Sequence, residues 1–275
     1  MKNLKRRFFI KSSSLVAGGL VLPSFNINRM ANSANNKKLK VSVVGCGGRG
    51  TGAAVQALRA DENVELVAMA DAFKDRLEKS LNAIKQEFEG EKKIEVKEKN
   101  MLVGFNGYKK AIDLADVVIL ATPPGFRPLH FKYAIDQDKH VFMEKPVATD
   151  AHGVRQVLET AKVANQKKLN VVVGLQRRYQ YSYLNILKQV RRGVIGKITS
   201  GQVRWNGAGV WVRERQPNQT EMEYQMRNWY YFNWLCGDHI VEQHIHNIDV
   251  ANWFINEFPV SCLLYTSDAA DDVAS

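Results

Sequence analysis

The sequence has few cysteines and no long apolar run, and each absence excludes a class of protein. Its three cysteines, Cys46, Cys236 and Cys262, lie far apart and form no Cys-x-x-Cys pair. This spacing excludes a disulfide framework and a cysteine zinc site, so we expect the three thiols to be packing residues. The weakly apolar stretch after Lys11 is shorter than the ~20 apolar residues that a membrane-spanning helix needs.

Acidic residues are missing from one end of the chain. The net charge is +11, but residues 1–38 hold eight lysines and arginines and no acid, which leaves +3 for the remainder. Outside that segment, no basic stretch with interleaved aromatic residues remains. We therefore expect no nucleic-acid partner.

The basic segment at the N-terminus is similar to a twin-arginine export signal. Arg6 and Arg7 precede the letters FFIK and a short, weakly apolar stretch, with Lys5 where serine or threonine is more usual. Residues 1–36 are therefore predicted to be a signal and linker. This predicts a periplasmic protein that meets a membrane only transiently, during export. A cytoplasmic protein with a basic tail is the alternative.

The last residues differ in character from everything before them. The letters SCLLYTSDAADDVAS follow a well-patterned helix and have no pattern of their own. CLLYTSDAADD resembles the translation of a sequencing-library adapter. We expect natural sequence to end near Val260 or Ser261, and residues 262–275 to be a non-native tail.

Between these ends, short β-branched runs alternate with amphipathic helical stretches, which predicts an α/β fold with a doubly wound parallel sheet. The predicted strands are 41–45, 64–71, 116–124, 140–146 and 170–176, with a short one at 94–97, and the main helices are 51–60, 72–88 and 148–166. After Arg177 the segments become longer and aromatic-rich. There we expect a half-exposed strand at 197–205, a loop-like stretch, and then a helix. Residues 37–176 thus form one predicted domain, and residues 177–261 an incomplete α+β domain.

The first predicted strand runs directly into a glycine-rich turn and a helix. The turn reads Gly45-x-Gly47-x-x-Gly50, which allows a tight bend, close approach of backbone to a pyrophosphate, and helix–strand packing. Asp71 ends the second strand. Its separation along the sequence from the glycine turn is the one expected for a carboxylate that bonds ribose hydroxyls. Together they predict a Rossmann-type dinucleotide-binding domain over residues 37–176.

The choice of dinucleotide follows from charge. Because a carboxylate at Asp71 would repel a 2′-phosphate, NAD is favoured over NADP. Arg49 and Lys74 keep NADP possible. Gly48 and Arg49 belong to the same glycine turn and are further candidate cofactor residues.

Two motifs, ATPP at 121–124 and EKP at 144–146, end predicted parallel strands. Open α/β sheets place their ligands at the carboxyl ends of strands. Thr122, Pro123, Glu144 and Lys145 are therefore candidate cofactor residues. Lys145, directed into the crevice by the following proline, is also a candidate for acid–base chemistry. A surface lysine at a strand end is the alternative.

The stretch GDHIVEQHIHNIDVANWF, residues 237–254, concentrates histidines and carboxylates on a predicted helix. At 100° per residue, one face carries His239, Glu242, His246 and Asp249, and the opposite face, which we expect to pack, carries Val241, Ile245 and Ile248. A zinc site, a polar helix face and a proton relay are all possible. HIVEQHIH fits neither H-E-x-x-H nor H-x-x-E-H, so no metal is expected. A relay is favoured because a dinucleotide domain needs a base for its alcohol.

In order along the chain, VGCGGRG, Asp71, ATPP, EKP, GLQRR and HNID resemble the Gfo/Idh/MocA family, which includes glucose-fructose oxidoreductase and inositol dehydrogenases. The resemblance covers residues 39–260. It implies that Lys145 and His246 surround a substrate carbon, and that Glu242 occupies the position of an aspartate, with a longer arm. It also implies a large second-domain sheet, encoded mostly beyond this chain, through which the full-length form would be a homo-oligomer.

The implied function is hydride transfer from a sugar, cyclitol or glycoside hydroxyl to NAD or NADP. In this interpretation His246 takes the hydroxyl proton, Lys145 shares it, and Glu242 holds the imidazole ring. Arg177, Arg178 and Asp249 are candidate substrate residues, although a structural salt bridge is an equal alternative for the arginines. A glycoside-cleaving enzyme that oxidises, eliminates and re-reduces is the runner-up. A non-catalytic sugar or nucleotide sensor is the third possibility.

Overall fold

A six-stranded, fully parallel sheet forms the centre of the fold in a computed structural model, which describes residues 38–207 and 209–263. Its spatial order is β3-β2-β1-β4-β5-β6. The strands are β1 (Leu39–Val44), β2 (Val64–Asp71), β3 (Met101–Val103), β4 (Val117–Leu120), β5 (His140–Met143) and β6 (Val171–Val173). This order confirms the predicted Rossmann-type sheet. The order reverses between β1 and β4, which opens a crevice at their carboxyl ends.

The central strands are buried on both faces, as parallel sheets require. One face packs against a cluster that includes Val44, Leu120 and Phe131. The other packs against a cluster that includes Val43 and Leu58. The continuous apolar runs of β1, β2 and β4 follow from this double coverage.

Nine α-helices are present in the described part of the chain. They are α1 (Gly48–Ala60), α2 (Lys74–Glu87), α3 (Gly107–Asp113), α4 (Arg127–Asp136), α5 (Ala151–Gln166), α6 (Tyr181–Arg191), α7 (Glu221–Arg227), α8 (Asn233–Cys236) and α9 (Ile245–Ile255). The side chain of Asp150 caps α5 by accepting the N–H of Gly153, and Thr220 caps α7 by accepting that of Glu223.

Three predicted elements differ from the structure. The expected strand at 94–97 is a single bridge between Ile94 and Leu66, and the third strand is β3, which is too short to show a period in sequence. The expected strand at 197–205 is absent, because no described strand lies beside it to complete its hydrogen bonds. The stretch interpreted as a loop contains the capped helix α7.

The predicted helix at 237–254 is interrupted, and its polar face is the more deeply buried one. A π-helical turn, Ile240–His244, precedes α9. Glu242 and His246 on the polar face are buried, whereas Ile245 and Ile248 on the apolar face are only half-buried. The apolar face packs only partly, whereas Glu242 lies against Lys145 at the carboxyl end of β5 and His246 lies against Trp205. His239, at the start of the turn, is exposed.

The ends of the chain carry predictions that lie outside the described residues. These are the twin-arginine signal and linker at 1–36 and, from residue 264 on, the adapter-derived tail. The domain boundary predicted after residue 176 stays a prediction. Within the described ranges, no helix combines the length and apolarity needed to cross a bilayer.

Two of the three cysteines are packed, as expected. Cys46 and Cys236 are buried, whereas Cys262 is exposed, so the expectation of packing is wrong for that thiol.

Candidate active site

The turn between β1 and α1 is built from glycines that tolerate no side chain. Gly45 has a φ of +98°, and a Cβ there would lie 2.5 Å from the Ala121 carbonyl carbon and the Thr122 nitrogen. A Cβ on Gly50 would lie 1.9 Å from the Gly45 carbonyl oxygen. Only glycine allows the turn to pass this close to β4 and to itself.

Gly47 and Gly48 face open space instead. A Cβ on either would meet no protein atom within 4 Å. Both line a crevice of about 740 Å³ at the carboxyl end of β1. Because the first N–H groups of α1 have no partner within the helix, this opening suits a diphosphate. The residues present therefore fit the dinucleotide that the sequence predicts.

Asp71 lines the same crevice and is held by backbone. Its Oδ2 accepts the Cys46 N–H at 2.7 Å, and its Oδ1 accepts the Phe73 N–H at 2.9 Å. Burial raises the pKa of Asp71 above its usual range, and these two N–H groups pull it back down. Each carboxylate oxygen keeps a second lone pair, which is available to ribose hydroxyls.

A buried arginine fixes the strand end opposite Asp71. The guanidinium of Arg127 donates to the carbonyls of Leu120 and Thr122, at 2.5 Å each. Burial lowers the pKa of Arg127 to about 10, and nearby Glu144 and Glu242 oppose that shift, so the group stays charged at neutral pH. Thr122 and Pro123 line the crevice, as predicted.

The imidazole of His130 contacts the Thr122 side chain. Its Nδ1 lies 3.2 Å from the Thr122 hydroxyl oxygen. Burial, with help from Arg127, lowers the pKa of His130 to about 3, so the ring is neutral. Sequence reasoning missed both Arg127 and His130, because a single arginine or histidine on a helix carries no local pattern.

Lys145 and Glu242 form a buried ion pair between the end of β5 and the π-helical turn. The Lys145 Nζ lies 2.9 Å from Glu242 Oε1 and also donates to the Glu242 backbone carbonyl. Their side chains are 10% and 8% exposed. Burial raises the pKa of Glu242, and Lys145 opposes that shift. Glu242 Oε2 is buried without a hydrogen-bond partner among the described residues.

His246 lies near this pair as an uncharged imidazole. Burial, followed by Lys145 and then Arg177, lowers the pKa of His246 to about 4. Its Nδ1 is buried without a hydrogen-bond partner in the part of the chain described. The expected contact in which Glu242 holds this ring is not formed: Glu242 binds Lys145 through Oε1, and neither its Oε2 nor the His246 Nδ1 has a partner among the described residues.

The three candidate substrate residues have protein partners. Arg178 binds Asp249 in a bidentate pair at 2.7 and 2.8 Å and lies 5.2 Å from the Trp253 ring centroid. This pair secures α9 and favours the structural alternative for both residues. Arg177 donates to Asn247.

Arg49 joins the crevice to the catalytic candidates. It lines the crevice, and its Nε lies 3.9 Å from Glu144 Oε1. The cluster of Lys145, Glu242 and His246 is adjacent to the crevice without lining it. In the described ranges, no three His, Cys, Asp or Glu side chains converge to hold a metal.

A segment that we call the strap, residues 209–236, forms the opposite wall of the crevice. Its wall residues are one cation, Arg213, and five large apolar side chains: Trp211, Met222, Met226, Trp229 and Trp234. Arg227 anchors one side, because it binds both carboxylate oxygens of Asp75 at 3.0 Å and lies over the Phe73 ring. On the other side, the Trp234 carbonyl packs so closely on Gly125 that a Cβ would lie 2.4 Å away.

Residues 39–174 match the Gfo/Idh/MocA family model, described as an oxidoreductase family with an NAD-binding Rossmann fold. The chain belongs to the Gfo/Idh/MocA oxidoreductase family. The match covers the glycine turn, Asp71 and both proline motifs that carried the resemblance.

Two curated relatives of this Gfo/Idh/MocA chain have names that give different activities. It is 26% identical over 250 residues to "Glycosyl hydrolase family 109 protein 1" of Shewanella sp. (strain ANA-3), covering 83% of this chain and 50% of the relative. It is 26% identical over 206 residues to inositol 2-dehydrogenase of Rhizobium meliloti (strain 1021), covering 75% and 52%. The chain thus spans about half the length of the curated relatives it matches.

A solved structure shows the same fold. The myo-inositol 2-dehydrogenase of Lactobacillus plantarum is 25% identical, with a TM-score of 0.60 over 86% of this chain and 62% of that one.

Proposed function

We propose that this chain is the cofactor-binding and base-bearing part of an NAD(P)-dependent oxidoreductase acting on a hydroxyl of a sugar, cyclitol or glycoside. One observation carries the proposal: Lys145, Glu242 and His246 converge beside the glycine-lined crevice. Gly45, Gly47, Gly48 and Gly50, with Asp71, would hold the dinucleotide. A bound nicotinamide supplies the acceptor for the hydride.

NAD is the favoured dinucleotide. Asp71, fixed by two backbone N–H groups, lies where a 2′-phosphate would add a second negative charge. Arg76 lines the same crevice and has no ion pair in the described ranges, so it keeps NADP as the alternative.

Side chains of the protein accept and donate the hydroxyl proton. His246 is neutral across the physiological range, so its free lone pair can accept that proton as the carbon loses hydride. Lys145 donates to the same oxygen or shares the proton, and Glu242 balances the lysine charge. Positioned acid–base groups of this kind contribute about 10²- to 10⁴-fold each.

The strap favours a second candidate function, glycoside cleavage with a retained cofactor. Because the strap covers the crevice and is anchored on both sides, a dinucleotide beneath it would leave slowly. Slow release suits a reaction that oxidises a ring hydroxyl, eliminates the aglycone and returns the hydride. The glycosyl hydrolase relative supports the same candidate.

Stoichiometry separates the two candidates. The protein, completed to the natural length of the family, would be incubated with free sugars and with aryl glycosides. Net reduction of the nicotinamide identifies a dehydrogenase, whereas released phenol without net reduction identifies the cleaving enzyme. Nucleotide binding that survives Lys145→Ala, with no turnover in the wild type, would indicate a sensor instead.

Arg227→Met is expected to speed nucleotide release roughly two- to fivefold, because a partly exposed bidentate ion pair contributes about 0.5–1 kcal/mol. The rate would be measured by trapping released nucleotide after mixing with excess labelled NAD. Arg215→Met is the matched control, since it breaks an exposed ion pair with Glu221 within the same strap. Equal release rates in both variants would show that the strap does not retain the nucleotide.

Export in folded form to the periplasm is proposed from the leader alone. Replacing Arg6 and Arg7 together by lysine is expected to leave the precursor in the cytoplasm, measured by fractionation. Arg29→Lys, in the same basic segment, is the control and should be exported normally. Export of the double variant at the wild-type level would contradict the proposal. The full-length form is proposed to be a homo-oligomer.

A further inference from the structure

Trp205 is held in an otherwise irregular segment by the candidate base. Residues 197–207 form no helix or strand, and Val203 and Arg204 beside it are exposed. The indole of Trp205 is half-buried and stacks on the imidazole of His246, with ring centroids 5.9 Å apart and an interplanar angle of 24°. An irregular segment thus places its half-buried tryptophan on the one ring that the reaction needs.

Arg177 completes the contact. Its guanidinium lies 5.5 Å from the Trp205 ring centroid and 5.7 Å from that of Tyr183. It donates to the side-chain oxygen of Asn247, and Asn247 in turn donates to the backbone carbonyl of Arg204. Two successive residues of α9, His246 and Asn247, are therefore held by the same small group.

The imidazole needs such a support because no hydrogen bond supplies it. A catalytic histidine is usually oriented by a carboxylate or carbonyl on its second nitrogen. Here His246 Nδ1 has no partner in the described ranges, and Glu242, which binds Lys145 through Oε1, makes no hydrogen bond to the ring through Oε2. The second ring torsion of histidine is broad, so packing alone fixes the ring.

We propose that Trp205 and Arg177 are positioning residues for His246: the indole fixes the plane of the imidazole, and the guanidinium, through Asn247, holds the first turn of α9, which carries that ring. This inference rests on the proposed function, in which His246 is the base.

The charges around His246 agree with this role. The cations Lys145, Arg177 and Arg49 disfavour the imidazolium, and Asp249 favours it. Asp249 is paired with Arg178. Two further carboxylates near the site have cations beside them: Glu242 pairs with Lys145 and has Arg127 behind it, and Glu144 lies near Arg49. The surroundings are therefore cationic on balance, and burial acts in the same direction on the pKa of His246.

The first test needs no turnover. The His246 ring would be titrated by NMR in the nucleotide-free and NAD-loaded chain, with its resonance assigned from His246→Gln. Arg177→Met is expected to raise the pKa of His246 by about half a unit or more, as for loss of one nearby charge. Arg177→Lys keeps the charge and should leave the value near that of the wild type. Arg204→Met, which removes an exposed charge beside Trp205, is the matched control and should have no effect.

The second test concerns the ring plane. Trp205→Leu is expected to lower kcat about tenfold or more with unchanged nucleotide affinity, and Trp205→Phe, which keeps a stacking ring, should restore most of it. Any one of three results would overturn the inference. The pKa of His246 could be unchanged in Arg177→Met, or it could shift equally in Arg204→Met. Alternatively, Trp205→Leu and Trp205→Phe could have equal rates. If no sugar is turned over, the titration still decides the positioning role, and the proposed function alone fails.

Discussion

Lys145→Met is expected to lower kcat for hydride transfer by about 10²- to 10⁴-fold, the range for loss of a positioned acid–base group. The Nζ lies at the carboxyl end of β5, beside the neutral His246, with only a tenth of its side chain exposed. Among the described residues, Lys145 is the only lysine that forms an ion pair with Glu242. Steady-state rates on the best substrate from the sugar panel would measure the effect.

The same substitution leaves Glu242 buried without its cation, which is expected to cost about 3–5 kcal/mol of unfolding free energy. Lys145→Met with Glu242→Gln removes both charges and should recover much of that stability while remaining inactive. This separates lost chemistry from lost folding. Lys139→Met is the control before β5, where the lysine donates to the Asp113 carbonyl, and should leave kcat unchanged. Activity of Lys145→Met within about threefold of the wild type, roughly the size of an indirect effect, would contradict the role.

Gly50→Ala is expected to abolish measurable nucleotide binding and to lower the unfolding free energy by about 3 kcal/mol or more. The added methyl would lie 1.9 Å from the Gly45 carbonyl oxygen, a backbone atom that cannot move without reshaping the turn. Calorimetric titration with NAD and urea denaturation would measure the two effects.

Gly52→Ala is the matched control on the same helix. A Cβ there meets no atom within 4 Å. Because alanine favours helix, the variant should bind normally and gain about 0.5–1 kcal/mol of stability. Normal NAD affinity in Gly50→Ala would show that the turn is not the dinucleotide site.

The dinucleotide half of the molecule was predictable because its rules are local. The strand before Gly45, the turn, and Asp71 at the end of β2 are each specified by a few adjacent residues. Parallel strands then bring their carboxyl ends together, which predicted Thr122 and Pro123 at the crevice; Lys145, also expected there, does not line it. The structure added β3, whose three residues carry too little pattern to be recognised.

The base-bearing half was only partly predictable because its geometry depends on long-range contacts. Helical spacing placed Glu242 and His246 on one face, but it could not show that Lys145 takes the carboxylate. The π-helical turn Ile240–His244, which carries Glu242, also interrupts the helix in a way that the spacing did not predict. Trp205 comes from a segment whose alternation predicted a strand, and no local pattern links it to His246.

The electrostatics of the site likewise required the fold. Arg127 reads in sequence as an ordinary first-turn arginine, yet it is fully buried and binds two carbonyls at the end of β4. Its charge is one reason that two carboxylates, Glu144 and Glu242, can be buried nearby. Charge in the interior is set by which elements meet, and single-sequence patterns do not contain that information.

The central claim is that this fold holds a nicotinamide dinucleotide for reversible oxidation of a carbohydrate hydroxyl. The most direct measurement is to produce the folded protein, extended to the length of its curated relatives, denature it, and determine released nucleotide by absorbance and mass. The account predicts near-stoichiometric NAD or NADH, retained beneath the strap and lost in Gly50→Ala. Absence of nucleotide, together with no binding of added NAD or NADP, would contradict the account.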